Sequence, residues 1–148
     1  VKIIKFKNCP PKFNDIIFMF QKELGEKIVC KFPSSNYGRL SILTHYKLNI
    51  VNKFLISPNC FFPKPKINSM IIHFQPKSNK KYIIKNIDNL EKITNVLFSN
   101  KRKMINKNIK KILYDHELKN IPNLKDELRP AELKPELYYK ITELIENR

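Results

Sequence analysis

Residues 15–30 read DIIFMFQKELGEKIVC. The opening DIIFMF is a short apolar run rich in branched and aromatic side chains. Its length and composition predict a buried strand of the kind found in parallel sheets. Residues 21–30 then place Leu24, Ile28 and Val29 at helical spacing, predicting a helix with those side chains inward. A strand that runs straight into a helix is the signature of α/β architecture.

Upstream of this unit stands Pro10-Pro11. Downstream, Ser34-Ser35-Asn36 reads as a loop with an N-cap candidate, and a helix is predicted over 37–46. Residues 48–56 predict a strand with Leu48, Ile50, Phe54 and Ile56 on one parity. Residues 58–66, PNCFFPKPK, carry three prolines and cannot be regular structure. A strand resumes over 67–74, so the pair predicts an antiparallel edge on the sheet. Residues 76–85 are polar and lysine-rich, as a linker would be. From Asp88 the apolar residues fall at helical spacing: Leu90, Ile93 and Leu97, then Ile105, Ile109 and Ile112. A break is expected at Ser99-Asn100. Pro135 suits the first turn of a last helix, with Leu137, Ile141, Leu144 and Ile145 on its inner face. The expected division is an α/β part over 1–76, a linker over 77–87 and a small all-helical part over 88–148.

The 148 residues are 42% hydrophobic, enough for a core and too apolar for global disorder. Lys and Arg number 29 against 13 Asp and Glu, a net charge of +16. Such a surplus points to polyanions, above all nucleic acid, ahead of an anionic membrane surface. Lys, Asn and Ile are abundant throughout and share AT-rich codons, so a basic patch is argued from position. The two glycines, Gly25 and Gly38, exclude a G-x-G-x-x-G turn or a P-loop. Cys9, Cys30 and Cys60 show no C-x-x-C spacing, and the expected setting is reducing and cytoplasmic. His45, His73 and His116 are isolated, so no metal site is expected. The apolar run at 16–20 is far short of the ~20 residues of a bilayer span, and no membrane association is expected.

Three stretches carry chemistry. The first is CFFPKPKINS over 60–69. Prolines stiffen it, and Lys64 and Lys66 stand at alternate positions of an extended loop. Phe61 and Phe62 have two readings: plugs that hold the loop down, or a π-face for a base with the two lysines on phosphates. The second is FSNKRKMINKNIKK over 98–111, predicted as an amphipathic helix. Lys103, Lys107 and Lys110 would share one face and Ile105, Ile109 and Ile112 the other. No acid interrupts it, which suits a nucleic-acid backbone better than an ordinary solvated face. The third is NYGRLS over 36–41, where Gly38 and Arg39 at a loop-to-helix junction could meet a phosphate. Gln21, Lys22 and Glu23 sit where a strand meets a helix, the usual edge of a site in α/β sheets. Glu23 and Glu26 read as solvent-exposed rather than as an acid–base pair.

FMFQKELGEKI, NYGRLSIL, FFPKPKINSMII, FSNKRKMINKNI and LRPAEL occur in this order. Together they closely resemble the C-terminal portion of the small-subunit ribosomal RNA adenine N6,N6-dimethyltransferases, the KsgA family, from about residue 14 to the end. The resemblance implies a Rossmann-like, S-adenosylmethionine-dependent methyltransferase with a small helical C-terminal domain. Such enzymes dimethylate two adjacent adenines in a hairpin loop near the 3′ end of small-subunit rRNA, late in assembly. It implies the pre-30S particle as partner, a monomer at full length, and a cytoplasmic place in ribosome biogenesis. The family's glycine-rich cofactor loop, acidic ribose-binding residue and Asn-Leu-Pro-Tyr motif have no match here. With Val1 in first place, the chain is expected to be a fragment, inactive alone, whose cofactor-binding residues lie elsewhere. Phe61 matches the aromatic that packs on the flipped adenine, and Phe62 is expected to anchor the loop in the core. Arg39, Lys64, Lys66, Lys101, Arg102, Lys103, Lys107, Lys110 and Lys111 are the expected RNA-binding residues. Lys64 replaces the middle proline of the family's F-x-P-P-P-K-V form, and a Pro-Lys-Pro-Lys variant is familiar among erythromycin-resistance large-subunit methylases. That branch, and a non-enzymatic RNA-binding assembly factor, are the alternatives.

Overall fold

The structure, a computed structural model, describes residues 13–78 and 81–148. Cys9, Pro10, Pro11 and residues 79–80 of the predicted linker lie outside the described residues. Strand β1 (Ile16–Gln21) runs without a break into α1 (Lys22–Val29), as the apolar run and its amphipathic continuation predict. Then come α2 (Arg39–Lys47), β2 (Leu48–Ile56) and β3 (Ser69–Pro76). The later elements are helical: α3 (Ile87–Leu97), α4 (Asn106–Ile109), α5 (Asp115–Lys119) and α6 (Pro135–Glu146). Short 3-10 turns occupy Pro58–Cys60, Phe98–Asn100 and Pro130–Glu132.

The strand order is β1-β3-β2, and both pairings are antiparallel. The buried parallel strand expected over 15–20 is therefore corrected: its ladder among the described residues is antiparallel, and Ile17, Phe18 and Met19 are exposed. An apolar run reports that a strand has two apolar faces and says nothing of its partner's direction. Met70, Ile72 and Phe74 of β3 point into the helix layer and are buried. Ile71 and His73 alternate to the other face. Residues paired across a ladder share a face. Ile17 opposite His73, and Met19 and Phe54 opposite Ile71, thus make one open apolar surface.

The single parity expected for β2 does not hold. The register shifts between Ile50 and Asn52, as a bulge at Val51 produces. Leu48 and Ile50 lie on the core face, whereas Phe54 and Ile56 pair with Ile71 and Ser69 on the open face. In α1 the inward stripe runs through Gly25, Ile28 and Val29, and Leu24 at its margin is exposed. Gly25 lets α1 approach β3 closely. A Cβ there would lie 2.7 Å from Met70 Sδ and 3.0 Å from its Cβ. The N-terminus of α2 falls after Gly38, not within 34–36. Ser41 Oγ accepts from the Gly38 N–H at 3.2 Å and donates to the Gly38 carbonyl at 2.8 Å.

One hydrophobic cluster joins the sheet, α2 and the later helices through Ile42, Leu43, Phe74, Leu90, Ile105 and Ile141. Helix α6 starts at Pro135 as expected, and its buried face is richer in polar atoms than the aliphatic spacing implied. Tyr138 Oη donates to the Pro130 carbonyl at 2.6 Å and Tyr139 Oη to the Ile42 carbonyl at 2.9 Å. Burial pushes both hydroxyls well above the usual tyrosine range. Tyr37 Oη likewise donates to the Leu133 carbonyl at 3.1 Å, so the helical part is hydrogen-bonded onto the α2 region from both directions.

Candidate nucleic-acid interface

The loop over 57–68 joins the end of β2 to the start of β3 and lies at the carboxyl end of β1. Ser57 Oγ accepts from the Asn59 N–H at 3.3 Å, and the Phe61 N–H donates to the Pro58 carbonyl at 3.2 Å. The first N–H of α1, at Lys22, donates to the Asn68 carbonyl at 2.9 Å and ties the loop to that helix. Phe61 is half-buried, whereas Phe62 is fully exposed. This corrects the expectation that Phe62 is the core anchor. Adjacent residues of an extended segment point in opposite directions, and here the inward one is Phe61. Lys64 and Lys66 are both exposed. Lys66 lines a cleft of about 540 Å³ between the loop and α1, shared with Gln21, Lys22, Glu23, Glu26, Pro58, Ile67 and Asn68. Lys64 is not among the residues that line it.

The predicted amphipathic helix over 98–111 does not form as one element. A 3-10 turn covers Phe98–Asn100, residues 101–105 are non-helical, and only Asn106–Ile109 is α-helical. The cause is competition for backbone partners. The Ile105 N–H donates to the Leu128 carbonyl at 2.9 Å instead of to its own helix. Asn108 Nδ2 reaches back to Ser99 Oγ at 3.1 Å and is buried there. Ile105 and Ile109 are buried as expected, and Lys101, Arg102, Lys103, Lys107, Lys110 and Lys111 are all exposed. The cations thus stand on a knuckle of short turns rather than along a helical stripe. Lys110 Nζ lies 3.9 Å from Asp115 Oδ1, so an acid beyond the segment reaches one of them.

Arg39 and Lys101, far apart in sequence, line one groove of about 570 Å³ together with Lys27, Ser35, Tyr37, Gly38 and Phe98. Lys101 Nζ is 3.5 Å from the Ser35 carbonyl. Arg39 Nε is buried without a hydrogen-bond partner among the described residues. Lys27 is the addition the sequence did not single out. It stands on the outer side of α1, and only the fold carries it to Arg39. The groove also holds one acid, Glu91. Positive charge from three separate segments converging on one concavity suits a phosphate.

The described residues do not make a cradle for S-adenosylmethionine. Gly25 is packed against Met70, Gly38 stands at the start of α2, and no glycine-rich turn follows a described strand.

A dimethyladenosine transferase from Plasmodium falciparum superposes with a TM-score of 0.72 at 25% identity, covering 95% of this chain and 59% of that one. The 23S rRNA methyltransferase ErmE shares the fold with a TM-score of 0.59 at 17% identity, over 92% of this chain and 56% of that one. The fold is therefore that of the α/β methyltransferases. A family model described as ribosomal RNA adenine dimethylase matches residues 2–147, and the chain belongs to that family. It is 40% identical over 137 residues to ribosomal RNA small subunit methyltransferase A of Pelagibacter ubique (strain HTCC1062), covering 91% of this chain and 52% of the relative. The protein of the same name from Coxiella burnetii (strain RSA 493 / Nine Mile phase I) is 33% identical over 131 residues, covering 88% and 50%. The chain spans about half the length of the curated relatives it matches.

Proposed function

We propose that this chain is the substrate platform and RNA-binding part of an S-adenosylmethionine-dependent rRNA adenine dimethyltransferase acting on small-subunit rRNA. The observation that carries the reading is the family match over residues 2–147. On this reading two adjacent adenines near the 3′ end of the RNA are dimethylated during subunit assembly, on the pre-30S particle, by a cytoplasmic enzyme that is monomeric at full length. Residues 1–76 belong to the methyltransferase domain, 77–87 link, and 88–148 form a helical RNA-binding domain.

The chemistry asks for little from these residues beyond placement. N6 of adenine is a weak nucleophile, and the base must leave its stack to be reached. Phe61, half-buried on a proline-stiffened loop, offers the extruded ring a wall that repays part of the unstacking cost. Lys64 and Lys66 flank it for phosphates. Lys101, Arg102, Lys103, Lys107, Lys110 and Lys111 supply affinity without reading sequence, and Arg39 with Lys101 grips one phosphate in their common groove. The methyl donor is supplied by S-adenosylmethionine held outside the described residues.

The test joins the chain to the cofactor-binding half of a small-subunit relative. Methyl transfer to small-subunit rRNA and not to large-subunit rRNA is expected, and the reverse preference would move the protein to the erythromycin-resistance branch. A second reading, RNA binding without catalysis, rests on the exposed cations over 101–111. It predicts no transfer in any such pairing.

A further inference from the structure

The cleft between α1 and the loop over 57–68 has a chemistry that phosphate binding does not explain. Gln21 ends β1, is exposed and lines the cleft. Glu23 stands in the first turn of α1 and has no ion-pair partner among the described residues. Glu26 is partly offset by Lys22, whose Nζ lies 3.8 Å away. Glu23 and Glu26 offset Lys22 and Lys66 in this lining, so the cleft has no net positive charge to draw a phosphodiester to its floor. A carboxylate accepts from the exocyclic amine of a base, and a glutamine amide pairs bidentately with adenine through N6 and N7. Lys66 on the rim is left for the phosphate of the same nucleotide, and Ile67 offers an apolar flank. The cleft, at about 540 Å³, falls within the usual range of small-ligand pockets. Its neighbour in the same loop is Phe61, bonded to Pro58 of the cleft wall.

We propose that this cleft is a base-reading site for an unpaired adenine next to the one on Phe61, with Gln21 and Glu23 recognising its N6 amine. The inference rests on the reading of the chain as an RNA-binding methyltransferase part. It adds a specificity device: stacking on Phe61 is tolerant of base identity, and this cleft is not. On the N6/N7 edge that Gln21 reads, a base with a carbonyl where adenine has its amine turns a lone pair toward Glu23 instead of a donor, and is rejected.

Equilibrium binding of the chain to short uridine-rich RNAs tests it. One RNA carries two adjacent adenines, a second carries inosines in their place, and a third is uridine throughout. Inosine swaps the amine for a carbonyl and still stacks. The adenine RNA should bind roughly fivefold to a hundredfold tighter than the inosine RNA, the range of one bidentate base contact. Gln21→Ala and Glu23→Ala should each bring the two within about twofold, the scale left when that contact is removed. Affinity for the uridine RNA should stay unchanged. Both residues are exposed, so unchanged melting is expected, and Gln21→Leu and Glu23→Leu serve if the alanine variants prove unstable. Equal affinity of the parent chain for adenine and inosine RNAs overturns the inference while leaving RNA binding intact. A preference that persists in both variants also overturns it. Failure to bind any of the RNAs overturns this site and the functional reading together.

Discussion

The open face of the sheet and the knuckle over 98–111 are both exposed, and they are exposed in opposite ways. On the sheet, Ile17, Met19 and Phe54 are 66%, 53% and 52% exposed around Ile71, while Phe74 on the other face is at 0%. On the knuckle, Ile105 and Ile109 are fully buried and the surface is mostly lysine and arginine, with Met104 the exposed apolar side chain among them. The knuckle has buried its isoleucines, so what it presents is mainly charge, which suits a polyanion. The sheet face presents apolar area, and contiguous exposed apolar area marks an interaction surface. The free edge of β1, unpaired among the described residues, adds open backbone donors and acceptors to the same side. One protein thus offers two surfaces that ask for chemically different partners.

The largest expected effect comes from the two faces of the sheet. Phe74→Ala should cost roughly 3–5 kcal/mol, the range for deleting a buried Phe, whereas Phe54→Ala should stay within about 0.5 kcal/mol. Urea unfolding of both variants at dilutions where the chain is monomeric checks the contrast, and a comparable loss at Phe54 there would mean that the open face is packed within the monomer. The corollary is association. The chain should self-associate in sedimentation, and Ile17→Lys with Phe54→Lys should reduce this; a monodisperse parent breaks the comparison. Next in size is Gly25→Ala, where the added methyl meets Met70 and should cost about 1–3 kcal/mol by overpacking.

The aromatic pair of the loop sharpens the other side. Phe62→Ala should change stability by no more than about 0.5 kcal/mol, since the ring is fully exposed. Phe61→Ala should remove roughly 1–3 kcal/mol of base stacking, or about a tenfold to hundredfold in methyl transfer once a cofactor-binding half is present. Single-turnover methylation and melting of both variants separate the roles. If Phe62→Ala slows transfer and Phe61→Ala does not, the exposed ring is the stacking one.

The smallest effect is electrostatic. Asp15 Oδ1 accepts from Gln75 Nε2 at 2.9 Å and from the His73 imidazole at 2.6 Å, tying the start of β1 to β3. These bonds, the Gln75 one foremost, hold its carboxyl below the usual range. A carboxyl lowered on folding contributes stability above its unfolded pKa and loses it as pH falls through the folded value. Asp15→Asn should therefore lower stability slightly at neutral pH and converge with the parent as pH falls below about 4, which flattens the acid limb. An unaltered acid limb would show that the bonds are not made in solution.

The sequence was most legible where local and tertiary preferences agree. The β1–α1 junction announced itself by a change of period, and Pro135 by a backbone that suits a first turn. It was least legible where a distant group decides. The bulge at Val51 splits β2 between two faces, and no parity count locates an extra residue. The Leu128 carbonyl that takes the Ile105 N–H dismantles a helix whose pattern was sound. Phe61 and Phe62 are chemically identical neighbours in a loop without period, so their order of burial is a property of the loop's anchors. The groove that gathers Lys27, Arg39 and Lys101 exists only after folding, which is why Lys27 carried no signal of its own.

The central claim is that the wet, cationic side of the molecule binds RNA by its phosphates. Titrating a hairpin from the 3′ end of small-subunit rRNA with the chain over a range of salt concentrations measures this directly. Each phosphate contact contributes roughly 0.7–0.9 to the slope of log affinity against log salt. Changing Lys101, Lys103 and Lys107 together to Gln should weaken binding and lower that slope by about two to three. A slope that does not change would make the knuckle an ordinary solvated surface and contradict the account.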